Sequence, residues 1–218
     1  MRLVAALTVG VLVAGAVAFA QTRTIDFEQD DTGKPPREFT FGLTGKMGSP
    51  GRWLVQQDAG GKYLAQLDPD RTSARFPIAV LSDLSTADVD LSVRFRPVSG
   101  RVDQAGGLVW RFQDENNYYI VRANALEDNV VLYKVQDGRR TDLPVRGEGR
   151  TYGKTAEVPV GRWSTLRLIA RDALFEVFFN GTKLFEGEDT TFTRAGAVGV
   201  WTKADSITHF DDLTVVIK

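Results

Sequence analysis

The side chains best suited to chemistry in this 218-residue chain are basic, carboxamide and aromatic groups set into apolar segments. Arg94, Arg111, Arg122 and Asn124 occupy the polar phase of such segments, and Trp201 with Lys203 closes another. An aromatic ring stacks on the apolar face of a pyranose, while planar guanidinium and amide groups fix hydroxyls or carboxylates. Gathered on one sheet face with Lys134, these residues would make a carbohydrate-binding surface for an oligo- or polysaccharide, acidic or highly hydroxylated. The competing reading is an outer sheet face on which long Arg stems cover apolar surface. A second constellation joins the chain's two ends: Asp26 and Glu28 near the start, Asp211 and Asp212 near the finish. Terminal strands of a sandwich often lie side by side, and hard oxygen ligands there suit Ca²⁺ better than zinc. Asp26, Glu28 and Asp211 are therefore the candidate ligands of a structural Ca²⁺. Asp-Asp before Leu-Thr-Val is equally a common way to begin a strand.

Other chemistries are excluded by what is missing. Without cysteine there is no disulfide framework, thiolate nucleophile or Cys-based zinc site. No Gly-x-Ser-x-Gly elbow is present, and the lone His209 reads as a strand residue rather than a base. Retaining glycoside hydrolysis needs two carboxyls about 5 Å apart. Glu186 and Glu188 have i, i+2 spacing but follow a hairpin turn, and Asp88 and Asp90 share their wet face with Arg94. With 27 basic against 28 acidic residues, the chain lacks the positive excess that holds nucleic acid.

The elements that must position these groups are strands. Val89, Leu91, Val93 and Phe95 alternate with Asp90, Ser92, Arg94 and Arg96, the period of a half-buried strand. Further strands are predicted over 24–27, 53–56, 63–67, 78–81, 104–113, 118–123, 130–135, 163–171, 174–180, 183–186, 196–202 and 209–217. Leu108, Trp110 and Phe112 are expected on one face of their strand, with Val109 and Arg111 on the other. Trp110 and Trp163 are expected in the core. Asn180-Gly181 predicts a type I′ hairpin, because both central positions need positive φ. Two stretches, 28–51 and 137–157, read as loops, the second a solvated one with scattered Arg and Lys. About a dozen short strands with turns every ~8–12 residues predict an antiparallel all-β sandwich or barrel.

Residues 1–20 stand apart. Arg2 precedes an uncharged run ending in Ala18-Phe19-Ala20, the pattern of a secretory signal cleaved between Ala20 and Gln21. The expectation is an exported protein, periplasmic or secreted, touching the membrane only through that transient segment. Residues 21–218 would then form one domain, with 26 basic against 28 acidic groups once Arg2 is removed.

Several motifs together carry a resemblance. Ala105-Gly-Gly-Leu-Val-Trp-Arg-Phe112, Asn116-Asn-Tyr-Tyr-Ile-Val-Arg122 and Val131-Leu-Tyr-Lys-Val135 are three of them. Trp163-Ser-Thr-Leu-Arg167, Phe178-Phe-Asn-Gly181, Gly196-Ala-Val-Gly-Val-Trp201 and Phe210-Asp-Asp-Leu-Thr-Val215 are the others. Over residues 24–217 the chain resembles the concanavalin A-like lectin/glucanase superfamily, in particular laminin-G-like modules and 3-keto-disaccharide hydrolase-type domains. The resemblance implies a jelly roll of two antiparallel sheets, a sugar-binding concave face and, in some members, calcium. The Glu-x-Asp-x-x-Glu motif of its laminarinase-type glucanases is absent. A lectin-like binding domain is therefore expected, with a hydrolase-type enzyme and an adhesion module as alternatives.

Overall fold

The computed structural model describes residues 21–217; the expected export signal at 1–20 lies outside the described residues. The first part of the chain forms β1 (Gln21–Ile25), β2 (Phe39–Leu43), β3 (Trp53–Asp58), β4 (Gly61–Gln66) and β5 (Pro77–Leu81). The middle forms β6 (Val89–Ser99), β7 (Ala105–Asp114), β8 (Asn117–Asn124), β9 (Asn129–Gln136), β10 (Arg139–Asp142) and β11 (Lys154–Thr155). The last part forms β12 (Ser164–Arg171), β13 (Leu174–Phe179), β14 (Thr182–Glu188), β15 (Ala197–Trp201) and β16 (Ile207–Ile217). The two stretches read as loops thus contain β2, β10 and β11, short strands whose pairing is supplied by neighbours rather than by their own pattern.

Every pairing is antiparallel, and the strands sort into two sheets. The first runs β14-β13-β12-β6-β16-β4-β3, with β1 also on β16; the second runs β10-β9-β8-β7-β15-β5-β2, with β11 also on β9. This is the expected jelly-roll sandwich. Its core lies between the sheets: Leu91, Val93 and Phe95 of β6 meet Trp110, Tyr119 and Val121 of the second sheet. The alternation along β6 is as predicted, with Asp90, Ser92, Arg94 and Arg96 half-buried on the outer side. Asn180 (φ 47°) and Gly181 (φ 83°) form the predicted turn between β13 and β14.

The second sheet departs from simple alternation. Its outer face holds its own apolar layer, including Ile78, Val109, Tyr118, Ile120, Val135 and Trp201. Strands apolar on both sides read as continuous runs, and Tyr118–Ala123 is one. A bulge adds a second departure. The β7 register shifts by one residue against β15, between the Val109–Gly199 and Phe112–Ala197 pairs, and Arg111 takes φ 48°. One extra residue reverses the phase beyond it. Phe112 therefore leaves the Trp110 side and packs on Tyr118 of the outer face, centroids 5.7 Å apart.

Candidate functional site

The outer face of the second sheet is organised around Arg122. Trp201, Gly107 and Arg122 are in register across β15, β7 and β8, and Gly107 carries no side chain between the other two. A Cβ there would lie 2.7 Å from the Val121 carbonyl oxygen, so the position requires glycine. Arg122 is 1% exposed. Its Nη2 donates to Glu127 Oε2 at 2.8 Å, Tyr133 Oη at 2.8 Å and Tyr152 Oη at 3.0 Å. Its Nη1 has no hydrogen-bond partner, nor has the buried Nδ2 of Asn124, two residues along the same face. Buried donors in native proteins are ordinarily paired, so these two neighbouring ones call for an acceptor, which a water or a ligand would supply.

The rim of this cluster is accessible. Tyr152 is 50% exposed and bonds Tyr133, hydroxyl to hydroxyl, at 2.5 Å. Glu127 is exposed and accepts from Asn129 Nδ2 at 3.0 Å. Burial works to raise the Glu127 pKa, but the hydrogen bond and charge of Arg122, the Asn129 amide and the Lys203 charge together outweigh it and hold the carboxyl below its ordinary value. Burial likewise opposes the Arg122 charge, and Tyr133 and Glu127 outweigh it, so the guanidinium stays charged. Lys203, which adds to the field on Glu127, donates to Oδ2 of the buried Asp103 at 2.6 Å.

Of the predicted binding residues, Arg122, Asn124, Trp201 and Lys203 fall on or beside this face. Trp201 is no open platform: it is 0% exposed, stacked on Phe76 at 5.4 Å. Arg140, expected in a solvated loop, instead lies on β10 with its guanidinium 4.4 Å from the Tyr133 ring centroid and 5.7 Å from that of Trp201. The covering of apolar surface by Arg stems and the clustering of polar groups thus coexist on one face.

Arg111, Arg94 and Lys134 are not brought to it. The bulge turns Arg111 toward the edge of the core, 1% exposed and 5.7 Å from the Phe175 ring. There it donates to the carbonyls of Ala87, Phe192 and Asp172 and to Asp88. Arg94 belongs to β6, and therefore to the other sheet, where Trp163 also lies half-buried on the outer side rather than in the core. Lys134 has the opposite phase from Tyr133 and pairs with Asp189 at 2.9 Å. Sequence reading missed Glu127, Tyr133, Tyr152 and Arg140. Only Tyr133 sat in a recognisable strand, and nothing local shows that a loop tyrosine will meet it.

The acidic residues proposed for calcium are drawn to other partners. Arg94 Nη1 lies 3.3 Å from Asp211 Oδ2 and 2.9 Å from Asp212 Oδ2, while Glu28 Oε1 accepts the Lys62 backbone N–H. Among the described residues, no group of three or more His, Cys, Asp or Glu is arranged to hold a metal. With an arginine already between Asp211 and Asp212, this donor set does not fit Ca²⁺ as arranged. Burial, Asp212 and Glu28 together raise the Asp211 pKa to about 6.

No family model and no curated protein matches the chain in sequence. Solved structures do match in shape. The carbohydrate-binding module CBM66 from Bacillus subtilis superposes with a TM-score of 0.59 at 18% identity, over 80% of this chain and 94% of that one. Domain 4 of AbnA, a GH43 extracellular arabinanase from Geobacillus stearothermophilus in complex with arabinotriose, gives 0.55 at 17% identity, covering 90% and 92%. Cellulose induced protein Cip1 gives 0.59 at 13% identity, covering 89% and 96%. What they share with this chain is the jelly roll. At such identities the likeness extends to the fold and no further.

Proposed function

We propose that this protein is an exported, non-catalytic carbohydrate-binding domain whose site is the Arg122 cluster. The observation that carries the reading is the buried Arg122, fixed by Glu127, Tyr133 and Tyr152 while its Nη1 stays unpartnered beside the equally unpartnered Asn124 amide. Such an array of fixed donors, a carboxylate and an exposed aromatic ring suits a sugar whose vicinal hydroxyls meet the polar groups while its apolar face stacks on Tyr152. The fold's likeness to CBM66 and to the arabinotriose-bound domain supports the same assignment. Glu127 argues against the hydrolase alternative at this site. A general acid needs a carboxyl held protonated near the working pH, and Arg122 keeps this one ionised.

The test is affinity electrophoresis and calorimetry against a panel of plant, bacterial and algal polysaccharides. Because Tyr152 is half-exposed, Tyr152→Ala should melt within ~2 °C of the parent. It should lose about tenfold in affinity for whichever polymer is retained. Retention unchanged by both Tyr152→Ala and Glu127→Gln would remove this face from consideration.

A further inference from the structure

Beside the Arg122 cluster lies the largest of the surface depressions described, about 630 Å³, lined by Pro69, Arg71, Ser99, Arg101, Asp205 and Ile207. The two are joined through side chains already described: Glu127 feels the Lys203 charge, and Lys203 pairs with Asp103. The Asp103 backbone N–H in turn donates to Asp205 Oδ1 at 3.1 Å. We infer that this depression is a second subsite of the same glycan-binding surface, taking a carboxylate-bearing sugar unit on Arg71 and Arg101. The inference rests on the carbohydrate-binding reading of the Arg122 cluster and names the class of glycan.

The argument turns on which charges face outward. Asp205, 4% exposed, is bonded by the backbone N–H groups of Arg101, Val102 and Asp103. Those donors hold its carboxyl below the ordinary value against the effect of burial. The nearby Asp70 carboxyl is taken by the Ser49 and Thr72 N–H groups, and Asp68 accepts from Ser49 Oγ and faces the buried Arg75 at 3.1 Å. Asp103 is committed to Lys203. These four carboxylates are thus engaged by fixed donors. The cations are not: Arg101 is exposed, and Arg71 is 63% exposed with Nε 3.7 Å from Asp205, too long for a good hydrogen bond. Two guanidiniums over a depression with room for a sugar ring, their nearest carboxylate already saturated, favour a planar anion received in fork geometry. A polymer with one unit at Arg122 and a carboxylate-bearing unit in the depression would cover both sites.

The experiment compares alginate, polygalacturonate, glucuronoxylan and hyaluronan, each beside its carboxyl-reduced form, with dextran sulfate as a polyanion lacking carboxylates. At least one uronate polymer should bind roughly tenfold tighter than its reduced form, and Arg71→Gln/Arg101→Gln should erase that difference. The same variant should leave affinity for the reduced polymer, and the melting temperature, unchanged. Equal binding of every uronate polymer and its reduced form, a preference surviving the double substitution, or equally tight binding of dextran sulfate would each overturn the subsite. Retention of no polymer at all, charged or reduced, would instead overturn the carbohydrate-binding reading on which it rests.

Discussion

Replacing Arg111 tests most directly whether its binding role was rightly given up for a structural one. Its guanidinium donates to three backbone carbonyls, at 2.8 Å to Ala87, 2.9 Å to Phe192 and 2.6 Å to Asp172, and to Asp88 Oδ1 at 3.2 Å. Asp88 is 45% exposed, so its ion pair is screened and counts for little. The carbonyls matter more: they tie the β7 bulge to segments leading into β6, β13 and β15. Removing a buried charged group that satisfies several acceptors costs about 3–5 kcal/mol. For a chain near 200 residues that lowers the melting temperature by on the order of 10 °C. Arg111→Ala should show this drop by calorimetry, while sugar affinity of the folded protein stays at the parental value. The backbone adds a refinement. Positive φ strains any residue with a Cβ by about 1–2 kcal/mol, and glycine avoids that strain at an entropic cost of roughly 0.5–1 kcal/mol. Arg111→Gly should therefore melt slightly higher than Arg111→Ala, although it also loses every hydrogen bond. A melt of Arg111→Ala within 2 °C of the parent, together with lost sugar binding, would refute the structural assignment.

Two titrations on β16 should oppose each other. Burial and the Arg96 cation lower the His209 pKa from 6.5 to about 4, so the unfolded chain binds the extra proton. That contribution to stability is full above pH 6.5 and is lost as pH falls toward 4. Asp211 is raised from 3.8 to about 6, so its contribution is full below pH 3.8 and is lost as pH rises to 6. Relative to the parent, denaturation of Asp211→Asn should show stability climbing more steeply between pH 4 and 6, and His209→Gln should show it falling; identical pH profiles would disprove the coupling. With Arg94 bridging Asp211 and Asp212, millimolar chelator should leave the melting temperature unchanged; a fall on chelation would restore Asp26, Glu28 and Asp211 as calcium ligands.

The amino-acid pattern by itself determined the class of fold and the place of most strands along the chain. Period two along β6, positive φ at Asn180-Gly181 and the absence of any long helical pattern are local properties, written in neighbouring residues. The same locality explains the errors. Alternation says that Arg94 is on a wet face but not on which sheet, and β6 pairs with β12 and β16, away from β8. A bulge cannot be read from composition, yet one residue's slip against β15 carried Arg111 from the outer face to the edge of the core. The candidate site is assembled from β8, β9, the turn after Asn124 and a tyrosine 30 residues beyond Arg122. Whether a guanidinium is free for a ligand or committed to a carbonyl depends on what packs against it. Burial and pairing are properties of the assembled sandwich, and so the sequence could supply the arginines while only the tertiary structure decided which of them had donors left to give.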